Sequence, residues 1–448
     1  MGGSLIRGNG GSILRTANLG KPSSLRRNQI YFYSTSRSRE KQLAALAKTP
    51  PVAVVLPEDV PASSLPGESA VIRVKNNKRA IWRLANWNWK HHSPRVAAVT
   101  GSAGKSTTTA MVGTILKKTK RVVHTTENLN TFSFLPSYLL RLSSKDQVLL
   151  LEMGMKSLNN IARQCRVVRP EVGAVTNVGE AHAGSLGGLD RVVKAKQELI
   201  DGLRKGGTLF LNADCPRSRR LSTRRFQGKV HTFGIQHPSD IQANHLRYTP
   251  FGMSFDVKME GKRGTFRIPT WGEHNVYNAL AAIGIARALG MDFSSIKRGL
   301  ERVKLPKMRL QRLAGTRGRV LINDAWNANP TAMRAGLTVL KHLSGKRTSV
   351  AVLGDMQELG NYTWTAHRQV GRFVARMNLD RLVTYGRESR EIGKAAVAAG
   401  MSPKRVIHFT SRESLIRYLR NTPPRSMIYF KASRKLKLEK IVDSLRFS

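Results

Sequence analysis

Acidic residues and cysteine are what this chain has least of. Its 448 residues hold 28 Asp and Glu against 76 Lys and Arg, with two cysteines, Cys165 and Cys215. Two thiols without metal-type spacing exclude a disulfide framework and point to reduced, intracellular cysteines. Aromatics are sparse at 6%, which beside 40% hydrophobic residues is ordinary for a soluble α/β protein. No apolar run approaches the roughly 20 residues needed to span a bilayer. The longest, such as Val148 to Leu151, are strand-sized.

The formal charge of +48 creates a field that attracts polyanions. Nucleotide substrates need only a local patch. The excess is therefore read as a basic bias over solvated faces, in preference to a dedicated role at nucleic acid or an anionic membrane. Residues 1–39 hold several arginines and no acid before Arg39, as a transit peptide would. Ser12-Ile13-Leu14 and Ile30-Tyr31-Phe32-Tyr33 nevertheless look like short strands, so the segment is taken as the start of a domain. His91-His92 has no flanking cysteine or carboxylate cluster and reads as solvated surface.

The length implies two or three domains, and three blocks emerge: 1–92, 93–305 and 306–448. The first mixes short strands with Pro/Ser-rich turns and ends in a helix from about Asn77 to Trp89. In the second, strands Val96 to Thr100, Val148 to Glu152 and Val172 to Asn177 alternate with helical patterns. Met111, Val112, Ile115 and Leu116 form one such stripe. Apolar strands alternating with helices predict a parallel sheet covered on both faces. A more polar, strand-like stretch spans about Lys229 to Pro269. The third block alternates again, as a Rossmann-like doubly wound sheet does.

Val96 to Thr107 reads as buried strand, small-residue loop and helix start. Gly101 and Gly104 let backbone N–H groups converge on an anion, and the helix adds its positive end. Lys105 can reach β- and γ-phosphates, and the Ser106 hydroxyl can ligate Mg²⁺. The usual early glycine is absent, because position 99 is Val. Glu152 ends a fully apolar strand, where a carboxylate needs a cation. Lys196 lies on the apolar stripe of a helix from Asp190 to Leu203, with Val192, Leu199, Ile200 and Leu203. A free ammonium there is costly. From the pattern alone, snorkelling to a rim stays equally open.

Thr100-Gly101-Ser102-Ala103-Gly104-Lys105-Ser106 resembles the phosphate loop of the Mur ligase family, which also lacks the early glycine. Further matches are Ala195-Lys196-Gln197-Glu198, Gly272-Glu-His274-Asn275-Val-Tyr-Asn278, Arg309, and Asp324-Ala-Trp326-Asn327-Ala-Asn329-Pro330. Trp326 stands where the family has Tyr. Lys431-Ala-Ser-Arg434-x-Leu-Lys437-Leu-Glu439 resembles a stretch of the MurF-type branch.

The resemblance implies a three-domain α/β architecture. A substrate domain for a uridine-linked sugar comes first, then a central parallel-sheet ATPase domain and a C-terminal Rossmann-like domain. It implies an ATP-dependent ligase making an amide through an acyl phosphate, adding D-Ala-D-Ala to a UDP-linked muramyl peptide in peptidoglycan synthesis. Gly101, Ser102, Gly104, Lys105, Ser106, Thr107, His274, Asn275, Arg309 and Asp324 would bind ATP. Ser106, Glu152, His182 and Lys196, the last carbamylated, would hold Mg²⁺. Lys105, Lys196, His182 and Arg309 would serve the chemistry, and Asn327 and Asn329 the amine substrate. A cytoplasmic monomer is expected, without a nucleic-acid partner. Asp355, Glu358 and His367 follow in the third block, the first two equally readable as helix-cap residues. The first block lacks the family's D-S-R type motif. Two alternatives are therefore kept: a paralogue with another peptide or polyglutamate acceptor, and a non-catalytic polyanion-binding protein.

Overall fold

The computed structural model describes residues 1–8, 16–65, 69–126, 129–181 and 183–446. The expected strand at Ser12-Ile13-Leu14 and the site residue His182 lie outside them. The chain forms two compact units.

The first unit comprises Met1–Pro94, Arg121–Val123 and Phe132–Leu149. Its sheet contains β1 (Ser4–Arg7), β2 (Thr16–Asn18), β3 (Gln29–Phe32), β4 (Ala53–Pro57) and β5 (Ala70–Val74), in the order β1-β5-β4-β3-β2. Only β1 runs antiparallel. Ile30, Phe32 and Val55 enter one core, while Tyr31, Val54 and Leu56 enter another on the opposite face. This two-sided burial is what continuous apolar strands predict. The buried Gln42 accepts hydrogen bonds from Tyr31 Oη (3.0 Å) and Ser34 N (2.9 Å), which fixes the helix Arg39–Lys48.

The second unit holds the rest of the chain. Most of one sheet lies in it, built from β6 (Arg95–Thr100), β7 (Val122–His124), β8 (Val148–Glu152), β9 (Val172–Val175), β10 (Thr208–Asn212), β11 (Lys229–Gly234), β12 (Ile241–Thr249), β13 (Gly252–Met259) and β14 (Lys262–Ile268). The order is β14-β13-β12-β11-β10-β9-β6-β8-β7. The pairs from β6 through β9, β10 and β11 to β12 are parallel, and β12-β13-β14 is an antiparallel meander. The polar stretch from Lys229 thus extends the parallel sheet by one strand before it turns back. The alternating pattern did not mark β7 or β10. The strand expected to reach Asn177 stops at Val175, because Thr176 and Asn177 bond the phosphate loop instead.

A further sheet contains β15 (Gln311–Ala314), β16 (Val320–Asn323), β17 (Ser349–Gly354), β18 (Arg381–Tyr385), β19 (Val406–Phe409) and β20 (Met427–Lys431). Its order is β15-β16-β20-β17-β18-β19, parallel except for β15. The last strand, β20, inserts between β16 and β17. That makes a topological switch point, where open α/β sheets bind ligands at the carboxyl edge. Asp324, just beyond β16, and Lys431, at the end of β20, meet there.

Candidate active site

The phosphate loop follows β6 and opens the helix Lys105–Leu116, whose Met111, Val112, Ile115 and Leu116 are all buried. Gly104 has φ +84°, and a Cβ there would lie 2.0 Å from Asn278 Oδ1. A Cβ on Gly101 would lie 1.9 Å from Thr176 Oγ1. Both glycines are thus required by left-handed backbone or close packing. Asn177 grips the loop. Its Oδ1 accepts from Ser102 N (3.1 Å) and Ala103 N (2.9 Å), and its Nδ2 donates to Ala103 O (3.2 Å). The Ser102 hydroxyl donates to Gly179 O (3.0 Å), and Gly179 N donates back to it (2.8 Å). Lys105 Nζ donates to Gly101 O at 2.8 Å. Burial lowers its pKa, Glu152 raises it and Arg309 lowers it again.

Glu152, at the end of β8, is buried. Its backbone N–H donates to Thr125 Oγ1 (3.0 Å), and its carboxylate accepts from Asn130 Nδ2 (2.6 Å). Lys196 lies in the helix Leu189–Asp201 and is buried, so it does not snorkel. Its Nζ reaches Thr100 Oγ1 at 3.2 Å. Burial first, then neighbouring Lys105, drive its pKa well below the ordinary lysine value, against the pull of Glu152 and Glu198. Glu198 itself turns to the helix Asn160–Val168 and accepts from Asn159, Ile161 and Ala162 N–H (2.6, 3.0 and 3.0 Å). A carboxylate complements a helix start in this way.

Arg309 Nη2 donates to Ser106 Oγ at 3.4 Å, which brings the segment after the second sheet onto the phosphate loop. Burial lowers the Arg309 pKa while Asp324 and Glu152 hold it up. Ser106, Thr109, Glu152, Lys307, Arg309, Trp326 and Arg434 line one cleft of about 570 Å³. The Arg434 guanidinium lies 5.6 Å from the Trp326 ring centre, a cation–π distance.

Two matches to known families cover most of this region. The Mur ligase middle domain matches residues 99–286, and the Mur ligase glutamate ligase domain matches residues 308–434. A UDP-N-acetylmuramoyl-tripeptide–D-alanyl-D-alanine ligase of Bacillus subtilis is 34% identical over 381 residues, covering 85% of this chain and 82% of that protein. The chain belongs to the Mur ligase family, among its MurF-type members. The corresponding Synechocystis ligase is 32% identical, covering 88% and 84%. A crystal structure of MurF from Acinetobacter baumannii superposes with TM-score 0.83 at 27% identity, covering 96% of this chain and 93% of that one.

The remaining residues singled out by the Mur ligase motifs have these places. Thr107 is buried in the loop helix. Asn275 donates to Thr270 Oγ1 (3.2 Å) and Trp271 O (2.8 Å) and accepts from Asn278 Nδ2 (3.1 Å), a network that backs Gly104. His274 is pushed down to about 4 by burial, with Asp324 opposing and Lys431 assisting. Asp324 accepts from Leu310 N (3.2 Å), Tyr429 Oη (2.9 Å) and Lys431 Nζ (2.6 Å). Asn329 caps the helix Pro330–Ser344 by accepting from Ala332 N (2.9 Å). Asn327 is exposed, and its side-chain oxygen accepts from Ala328 N. Asp355 accepts from the N–H groups of Arg387, Glu388 and Ser389, and both His367 ring nitrogens are bonded, to Met356 N and Thr363 O. Sequence reasoning did not single out Asn130, Thr125 or Glu180 as working residues. For Asn177, its place at the end of a strand beside the loop was the available signal.

Proposed function

We propose that the chain joins D-Ala-D-Ala to UDP-N-acetylmuramoyl-tripeptide, forming ADP, phosphate and a new amide. The observation that supports this reading best is the convergence of Ser106, Glu152 and Arg309 on one cleft, with the Lys105 ammonium close enough to feel the charges of Glu152 and Arg309. The loop N–H groups, Lys105 and Arg309 hold the ATP phosphates and offset charge on the transferring γ-phosphoryl. The acceptor carboxylate attacks that phosphorus and gives an acyl phosphate. The dipeptide amine then attacks the acyl carbon, and phosphate leaves.

The residues fit a magnesium site. Glu152 is a buried carboxylate lining the same cleft as Ser106, and burial holds the Lys196 pKa well below the ordinary lysine value. CO₂ adds to a neutral amine, releasing one proton and leaving an anionic carbamate. That negative charge would be offset by Lys105 nearby. Ser106, Glu152, His182 and carbamylated Lys196 would hold Mg²⁺, which supplies neutralisation of phosphate charge.

Residues 1–92 take the uridine-linked sugar, 93–305 the ATP and 306–448 the amine, with Asn327 and Asn329 on the amine loop. Among the described residues no helix is long and apolar enough to cross a membrane. The same reading places the enzyme in the cytoplasm as a monomer, its basic surface drawn to anionic membrane. The test is phosphate release from ATP and Mg²⁺ with D-Ala-D-Ala and the UDP-linked muramyl tripeptide, each omitted in turn. Release that needs both substrates supports the reading; no release from a protein that binds ATP refutes it.

A further inference from the structure

Glu180 is a buried carboxylate, and each of its two oxygens has a side-chain partner. Oε2 accepts the Thr331 hydroxyl at 2.7 Å, and Oε1 meets Arg217 Nη1 at 3.4 Å. Bonds to an ionised acceptor are among the stronger hydrogen bonds, more so when shielded from water.

What makes the contact informative is where each end leads. The residue before Glu180 is Gly179, whose N–H and C=O both bond Ser102 Oγ of the phosphate loop. Thr331 stands two residues after Asn329, at the start of the helix Pro330–Ser344. A Cβ on Gly179 would come within 3.2 Å of Thr331 Oγ1. The same segment touches the third sheet's region again. A Cβ on Gly184 would lie 2.0 Å from the Leu359 carbonyl carbon, so only glycine permits that approach. Ser102 bonded to Gly179, and the next residue Glu180 bonded to Thr331, thus make a short path from the phosphate loop to the helix that follows Asn327–Asn329.

We propose that Glu180 is a positioning residue that locks the amine-bearing loop to the phosphate loop, so that the acyl phosphate forms only where the amine can reach it. This rests on the ligase reading above. An acyl phosphate made without the lock meets water instead of the amine, and one phosphate is then released without an amide. Glu180 is not among the residues lining the cleft of Ser106, Glu152 and Arg309. Its role is read in coupling and in substrate-selective KM rather than in folding.

The experiment measures phosphate released and amide formed by wild type, Glu180→Gln, Thr331→Val and Thr331→Ser, using UDP-linked muramyl tripeptide, ATP and D-Ala-D-Ala. Wild type and Thr331→Ser, which keeps the hydroxyl, should give one phosphate per amide. Glu180→Gln and Thr331→Val should give a severalfold excess of phosphate. Their dipeptide KM should rise about fivefold or more while the ATP KM stays within about twofold. Unit stoichiometry with an unchanged dipeptide KM in both variants overturns the proposal. So does a parallel rise in both KM values, which marks a merely structural role. Absence of any amide in wild type refutes the ligase reading first, and the inference with it.

Discussion

Replacing Lys431 with Met tests whether Asp324 is held by a buried cation. The two side chains are 3% and 11% exposed, with Nζ 2.6 Å from Oδ2. Removing the ammonium leaves the carboxylate with two neutral donors, Leu310 N–H and the Tyr429 hydroxyl. Breaking a buried pair from one side costs roughly 3–5 kcal/mol, because the remaining charge loses its hydrogen-bonded cation. Lys431 ends β20 and Asp324 follows β16, two paired strands, so the cost falls on their local opening. At about 1.4 kcal/mol per factor of ten, amide protection there should drop by roughly 100- to 4,000-fold. Hydrogen exchange with mass spectrometry, on peptides covering Val320–Asn323 and Met427–Lys431, reads this directly. Lys431→Met combined with Asp324→Asn removes the orphan charge and should recover most of the protection. A drop of less than about tenfold in Lys431→Met, or a double variant no better than the single, refutes the reasoning.

Gly104→Ala places a Cβ at φ +84° against Asn278 Oδ1. Left-handed backbone alone costs about 1–2 kcal/mol, so calorimetry should show ATP affinity reduced by roughly tenfold or more in a protein whose circular dichroism is unchanged. Lys105→Ala should abolish ATP use. Lys196→Ala should be inactive yet partly rescued by a small carboxylate such as acetate, and full activity of either without additive contradicts the site. His274, pushed down to about 4 from 6.5, is protonated more readily in the unfolded chain. Its contribution to stability is therefore present above pH 6.5 and lost as the pH falls from 6.5 to 4, up to roughly 3 kcal/mol in all. Urea unfolding across that range should show a slope that His274→Asn flattens.

Much of the site was legible because its signals are local. A buried strand, two glycines and a lysine at a helix start within residues 96–107 read as a phosphate loop, and the structure forms the strand, the turn and the helix there. Period 3.6 put Lys196 on an apolar stripe, and the structure buries it there. The alternation of strand and helix gave both parallel sheets, and the motifs gave the family. Short or half-polar strands such as β7, β10 and β15 carried too little pattern to be seen.

The chain's own order thus marked most of the longer elements and the side chains that are candidates for the chemistry. The tertiary structure decided who meets whom. Nothing local says that β20 inserts between β16 and β17, and that placement alone brings Lys431 to Asp324 across 107 residues. Arg309 reaches Ser106 across 203 residues, and Asn177 grips the loop from 75 residues away. Local periodicity records which face of an element is buried. Hydrogen-bond partners distant in sequence depend on strand order and on how sheets stack, so Asp324 and Glu198 acquire their anchoring and capping bonds only once the fold has closed.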